Sequence, residues 1–278
     1  MTKDPDTLHL KLTQLEAVLR RLNRVAVAFS GGVDSTFLLK VARGVLGQNV
    51  LAVTAVSELM PRFERADAVR LAQLIDVPHV LVETDDLSDP AFTANPPDKC
   101  YLCKKKRFSQ LKTFALSKGI EVVVDGTNSD DWRDYRPGEK AAQELGIESP
   151  LREAGLGKND IRQLSRQLGL PTWDKPAFAC LASRIPYYHE ITAEKLQQID
   201  EGETFLRQLN LSGQVRVRHH GGLARLEIEP ADIHKLVADP LRTRVLDYFT
   251  GLGFQYITVD LAGYAMGSLN RELNSEGE

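Results

Sequence analysis

The sequence predicts an α/β protein: a parallel sheet covered by helices on both faces, followed by a smaller α+β domain. Three observations carry that expectation. Short apolar runs alternate with helical patterns as far as Gly126, and such alternation implies parallel strands joined by helical crossovers. The first of those runs closes on Ser30-Gly31-Gly32 and passes straight into a helix. Strand-like patterning then fades and returns near Ile191, which divides the chain into a domain of residues 1–189 and a second of 190–278.

The elements follow in order. Leu8, Leu12, Leu15, Leu19 and Leu22 recur at helical spacing, so an amphipathic helix opens the chain. "RVAVAFS" reads as a short buried strand, followed by glycines and the helix "DSTFLLKVARGVL". "NVLAVTAVS" is a second strand, Pro61 starts a helix through Ile75, and "PHVLVET" is a third strand. A polar, proline-bearing loop over residues 85–98 leads to "DKCYLC" and a helix reaching Lys118. "IEVVVDGT" is the fourth strand; past Gly126 two helices and many turn residues are expected, but no strand. From Ile191 come a helix to about Leu209, the strands "QVRVRHH" and "LARLEIEP", two helices and the strand "FQYITVD". The polar tail "NRELNSEGE" is expected to fray.

Composition narrows the function classes. The 278 residues are 42% hydrophobic, enough for one large core or two moderate ones. The opening "MTKDPDTLHL" lacks the apolar run of a signal peptide, and no later stretch approaches the ~18 apolar residues that span a bilayer. A cytoplasmic protein without membrane contact is the expectation, and there thiols stay reduced. A net charge of −3 argues against nucleic acid as a partner, and the run Lys104-Lys105-Lys106-Arg107 reads as a solvated helix face. Trp132 and Trp173 read as packing residues, and Asp130, Asp131 and Asp134 as a polar loop rather than a metal site. His219 and His220 point to opposite strand faces and cannot share one ion without distortion.

"AFSGGVDST" carries the most chemistry. Gly31 and Gly32 permit positive φ and let a ligand approach the backbone. N–H groups at the start of the following helix then face an anion, aided by the helix dipole. Ser30 and Ser35 add hydroxyls, and Asp34 suits a phosphate site if it helps hold Mg²⁺. The stretch is neither G-x-x-x-x-G-K-[ST] nor G-x-G-x-x-G. The alternative is a strand–turn–helix junction that binds nothing; two glycines flanked by serines argue against it. On their own, these residues support a polyphosphate-binding α/β domain.

"SGGVDS" resembles the PP-loop of the ATP pyrophosphatases, the group of GMP synthetase, NAD synthetase and the tRNA thiolation enzymes. The resemblance implies a Rossmann-like domain of the adenine nucleotide alpha hydrolase type that cleaves ATP to AMP and pyrophosphate. "GTNSDDWRDYRPGEKAAQELGIESPL", "LSRQLGLPTWDKPAFACLASRIPY" and "QVRVRHHGGLARLEI" further resemble the LarE family of ATP-dependent sulfur transferases, in the same order along the chain. That family acts in biosynthesis of the nickel-pincer nucleotide. It adenylates a carboxylate of pyridinium-3,5-dicarboxylate mononucleotide and delivers sulfur to give a thiocarboxylate. The resemblance implies that Ser30, Gly31, Gly32, Asp34 and Ser35 hold the ATP phosphates and Mg²⁺. Thr54 and Ala55 would sit beside ribose or adenine, with Gly126, Thr127 and Asn128 facing the same crevice. Cys180 matches the catalytic cysteine; Ser183 and Arg184 close by would bind substrate together with Glu203, Arg216, Arg218 and Asp232, the two strand arginines holding its phosphate. From spacing alone, Arg216 and Arg218 could equally be a solvated strand face. A homo-oligomer, trimer or hexamer, is also implied.

Cys100, Cys103 and Cys180 are the chain's three cysteines, an odd count that excludes full pairing within one chain. A metal site, a redox pair, a nucleophile and inert buried thiols all remain open to residue-level reading. The resemblance favours a 4Fe–4S cluster held by these three thiolates, one short of the usual four, with one iron left to carry sulfur from sulfide or another donor. The alternatives are a sacrificial Cys180 that becomes dehydroalanine, a zinc site completed by a histidine, and a persulfide relay from the CxxC to Cys180. A tRNA thiolase with the same loop, and an ATP-binding regulator that forms no AMP, are the competing functions.

Overall fold

The computed structural model describes residues 5–131 and 137–265. Trp132 and Asp134 lie outside the described residues. The chain forms two units. The first comprises residues 1–57, 62–86 and 98–178; the second comprises 58–61, 87–97 and 179–278. The division of the main chain at 178/179 compares with an expected 189/190, and two short upstream segments join the second unit.

In the first unit the order is α1 (Pro5–Leu22), β1 (Val25–Ala28), α2 (Val33–Leu46), β2 (Val50–Val56), α3 (Arg62–Ile75) and β3 (His79–Glu83). The strands form one parallel sheet, β3-β2-β1-β4, with β4 at Val122–Val124. Its central strand β1 is apolar on both faces, as a parallel strand covered by helices requires. Because β2 and β4 flank β1 on opposite sides, the strand order reverses there, and the carboxyl ends of β1 and β4 mark the place where open parallel sheets bind ligands. The expected α/β parallel fold is the observed one.

One further helix of this unit lies between β3 and β4, and three follow β4. The second unit contributes α4 (Pro90–Thr93), a single turn inside the loop expected over residues 85–98, capped by the Asp89 carboxylate on the Ala91 N–H at 2.9 Å. The first unit then supplies α5 (Lys99–Ser117), α6 (Pro137–Glu144), α7 (Pro150–Glu153) and α8 (Lys158–Gln167). No strand occurs in the described part of residues 127–178; Glu148 makes a lone bridge to Val124. The apolar face of α5, Phe108, Leu111 and Ala115, packs with Ala26, Val53 and Val123 of the sheet.

The second unit carries α9 (Ala193–Arg207), β5 (Arg216–His220), β6 (Leu223–Glu227), α10 (Ile233–Leu236), α11 (Leu241–Gly251) and β7 (Tyr256–Val259). Its sheet has the order β5-β6-β7, with β5 antiparallel and β7 parallel to β6. Leu206, Val217, Leu226, Phe249 and Phe254 form its core. Asn95 ties the 87–97 segment to this unit. Its buried side-chain amide donates to the carbonyls of Ile185, Pro186 and His189 at 3.2, 2.7 and 3.0 Å.

Two expectations are corrected, and one open alternative is excluded. Trp173 is not a core packing residue: it is exposed, and its ring is covered on one side by Arg166 at 5.0 Å, a cation–π contact at the surface. The basic run is not uniformly solvated, because Arg107 turns inward to the buried Asp86 at 2.9 Å. Arg216 and Arg218 are not a solvated face either, being 3% and 5% exposed.

Candidate functional site

The phosphate-type turn is built at the end of β1. Gly31 has φ +71°, and a Cβ there would stand 3.3 Å from the Ala68 backbone of α3, so glycine meets both a conformational and a packing demand. Gly126, beyond β4, approaches the same turn: a Cβ on it would sit 3.0 Å from the Ser35 amide nitrogen. Ser30 and Ser35 hydroxyls lie 3.1 Å apart, and the Gly32 N–H donates to Ser30 Oγ at 3.3 Å. The backbone is thereby shaped into a cup around the start of α2.

Asp34, in the first turn of α2, supplies the charge at this cup. Its Oδ2 accepts from Lys158 Nζ at 2.6 Å, while Oδ1 is buried without a hydrogen-bond partner. An unpartnered, buried carboxylate oxygen is costly. Burial raises the Asp34 pKa against the pull of Lys158. That oxygen, in the first turn of the helix that follows the glycine turn, fits a divalent cation carrying phosphates, so the residues suit Mg²⁺ with a nucleotide.

Two lysines that no local motif announces also reach the turn. Lys158 opens α8 and Lys175 lies beyond it; Lys175 Nζ donates to the Gly31 carbonyl at 3.2 Å and to Asp67 at 3.1 Å. Both bring positive charge to the turn from more than a hundred residues downstream. Only the folded chain reveals them.

The other residues expected here divide. Thr54 is buried, its hydroxyl donating to the Phe29 carbonyl at 2.6 Å and lying 2.8 Å from His79 Nε2. This hydroxyl pins β2 to the end of β1. Ala55 follows it, half-buried, on β2. Thr127 Oγ1 donates to Asp125 at 2.6 Å, which shapes the turn after β4. Asn128 Oδ1 accepts from the Asp130 N–H at 2.9 Å, and Asp131 accepts the Asn128 N–H at 2.9 Å. Asp130 accepts the Lys158 N–H at 2.6 Å, so both aspartates organise a polar loop.

Cys100 lies in the first turn of α5 in the first unit and Cys103 in the next, exposed and half-buried respectively. Cys103 Sγ lies 3.6 Å from Asp86 Oδ1. Burial would raise the Asp86 pKa, but Arg107 holds it below the usual carboxylate range. Spaced one helical turn apart, the two thiols suit a shared soft metal or cluster. Cys180 belongs to the second unit. Within each unit, among the described residues, no three His, Cys, Asp or Glu side chains are gathered to hold a metal.

In the second unit Cys180 is half-buried and starts a 3-10 turn through Arg184. Ser183 Oγ donates to the Cys180 carbonyl at 2.8 Å. Arg184 and Glu203 are fully buried and bonded to each other, Nε to Oε1 at 2.7 Å and Nη2 to Oε2 at 3.0 Å. Burial alone would raise the Glu203 pKa, yet Arg184, with Arg216 and Arg207, keeps it below the usual range. On β5, Arg218 donates to Glu227 and to the Ser183 carbonyl, both at 2.8 Å. Arg216 lies 5.0 Å over the Tyr264 ring. Burial and the Arg184 charge push the Arg216 guanidinium down to about 10, so it remains cationic at neutral pH and favours an anion beside it. Asp232 is committed locally, accepting from Ser212 and from Lys235.

No protein-family model matches the chain. It is 48% identical to an uncharacterised protein of Synechocystis over 96% of this chain and 99% of the relative. It is 41% identical to the Lactiplantibacillus plantarum pyridinium-3,5-bisthiocarboxylic acid mononucleotide synthase over 96% of each. A subunit of the Thermoplasma volcanium glutamine-hydrolysing GMP synthase is 28% identical over 62% of this chain and 60% of its own.

Proposed function

The chain belongs to the family of the pyridinium-3,5-bisthiocarboxylic acid mononucleotide synthases, and from that premise we propose that it is an ATP-dependent sulfur transferase acting on pyridinium-3,5-dicarboxylate mononucleotide. Adenylation joins a substrate carboxylate oxygen to the α-phosphorus of ATP and expels pyrophosphate. Sulfur then attacks the acyl carbon, AMP leaves with the oxygen, and the thiocarboxylate remains. A second round converts the other carboxylate.

The observation that carries this reading is the unpartnered Asp34 Oδ1 in a glycine-turned cup at the start of α2. Asp34 would hold Mg²⁺, which when bound offsets the charge of the phosphates. The turn N–H groups and the Ser30 and Ser35 hydroxyls would hold the departing pyrophosphate. Lys158 would pass from Asp34 to a phosphate oxygen, and Lys175 would add charge on the other side. In the second unit, Arg216 and Arg218 would grip the mononucleotide phosphate, and Cys180 would handle sulfur. Cys100 and Cys103 would join Cys180 in holding a 4Fe–4S cluster, which when bound supplies exchangeable sulfide drawn from a small-molecule donor. A sacrificial Cys180 is the second reading: its thiol is half-buried in the second unit and would need no partner from the first. We further propose a cytoplasmic homo-oligomer; no described helix is long and apolar enough to cross a membrane.

The direct test is release of AMP and pyrophosphate. Both should appear with the dicarboxylate mononucleotide and not with bulk tRNA; turnover on tRNA alone would make the chain a tRNA thiolase.

Arg216 and Arg218 give a finer prediction. Replacing Arg216 by Ala removes a charge-assisted contact of about 1.5–3 kcal/mol, which raises KM for the mononucleotide roughly tenfold to a hundredfold. Arg218→Lys is the cleaner change at its position, because it keeps a charge over the buried Glu227 while losing the fork. KM for ATP should hold steady in both. Unaltered mononucleotide affinity removes the arginines from the substrate site.

A further inference from the structure

We propose that the buried Arg184–Glu203 pair is the positioning device that fixes Cys180 to the strand bearing Arg216 and Arg218. The inference deepens the function proposed above and rests on Cys180 being the residue that handles sulfur. Sequence resemblance assigns both members of the pair to substrate binding. Their geometry points elsewhere, since neither side chain is more than 1% exposed.

One guanidinium nitrogen grips the peptide on both sides of Cys180. Arg184 Nη1 donates to the Ala179 carbonyl at 2.7 Å and to the Cys180 carbonyl at 3.0 Å. It also reaches Ser183 Oγ at 2.9 Å. Ser183 reinforces the hold, its N–H meeting the same Cys180 carbonyl at 3.0 Å. The guanidinium is in turn held by the fork of Glu203 from α9, a planar match that fixes its orientation as well as its place.

Glu203 does more than hold Arg184. Its Oε1 also accepts the Val217 N–H at 3.3 Å, on β5 between the two arginines. Arg218 answers from the same strand by donating to the Ser183 carbonyl. The Cys180 turn, α9 and β5 are thus joined by one hydrogen-bonded set. A buried ion pair is a poor device for stability alone, because apolar side chains of similar volume serve a core as well or better. What this pair adds is a fixed backbone on either side of one thiol, at a set position relative to the arginine strand.

The test uses Arg184→Lys, which loses the fork, and Glu203→Gln, which loses the charge. Two readouts are taken on folded, full-length protein: the rate of Cys180 alkylation by iodoacetamide, followed on its peptide by mass spectrometry, and steady-state kinetics. Cys180 alkylation should accelerate several-fold as its turn loosens. The kcat should fall about a hundredfold through misplacement of the thiol, with KM for both substrates unchanged. A raised mononucleotide KM with unchanged alkylation would show a direct substrate contact and overturn the proposal. So would variants whose alkylation and kcat per folded molecule match wild type. If the single variants fail to fold, Arg184→Met combined with Glu203→Leu removes both charges together and is read in the same way. Full sulfur transfer by Cys180→Ser would instead defeat the underlying reading of Cys180, and alkylation in Arg184→Lys would then decide the clamp by itself.

Discussion

Asp34→Ala abolishes Mg²⁺-dependent AMP formation while the protein stays folded. The expected loss is at least about a thousandfold, the kinetic equivalent of several kcal/mol of metal-centred charge stabilisation. Asp34 is placed for that role by the first turn of α2, with one oxygen on Lys158 and the other buried and unpartnered. Folding should tolerate the change for two reasons. The substitution removes a carboxylate that burial disfavours in its charged form. Lys158 is about one-third exposed and can turn to water, so the lost ion pair costs about 1 kcal/mol or less. Pyrophosphate release and a thermal melt on the same preparation check both halves. Wild-type adenylation by Asp34→Ala would remove the residue from the chemistry, and the cup at β1 would have to bind nucleotide without it.

The second large effect concerns the cysteines. If Cys100, Cys103 and Cys180 jointly hold a cubane, anaerobic reconstitution with iron and sulfide gives a brown protein with about four irons per chain. Each single Cys→Ser variant then loses most of that iron, because two thiolates hold a cubane poorly. With sulfide supplied, wild type turns over repeatedly and Cys180 keeps its mass. A sacrificial Cys180 predicts the reverse. Its thiolate would attack the acyl-adenylate and expel AMP, and loss of the Cα proton would break the Cβ–S bond. The thiocarboxylate would depart, leaving dehydroalanine and about one sulfur transferred per chain, with Cys100→Ser and Cys103→Ser still active. Intact-mass spectrometry after turnover separates the two outcomes.

What the sequence made legible follows from range. The strand–turn–helix over residues 25–46 could be read because its signals are adjacent: an apolar run, two glycines, and a helix beginning at Val33. The α5 helix and the alternation of β5 and β6 were legible for the same reason. The single turns α4 and α7 were harder, being too short for a period to establish itself, so three helices follow β4 where two were expected. Lys158 and Lys175 were invisible because they reach the turn from 124 and 144 residues away from their partners Asp34 and Gly31. Burial of Arg216 and Arg218 was undecidable from alternation, since the residues that replace water around them, Glu227, Ser183 and Tyr264, come from three other segments. Arg184 is the sharpest case. Family resemblance implied contact with substrate, and no local signal announced that its fork is filled by a glutamate from α9.

Sulfur transfer itself is measured most directly by mass spectrometry of the small-molecule product, run alongside quantitation of AMP. With ATP, Mg²⁺, a sulfide source and pyridinium-3,5-dicarboxylate mononucleotide, the expected product has a carboxylate oxygen replaced by sulfur. One AMP should appear for each replacement, and none of the product should form with Asp34→Ala. An unchanged mononucleotide, with the wild-type protein folded and supplied with every reactant, would contradict the proposed activity.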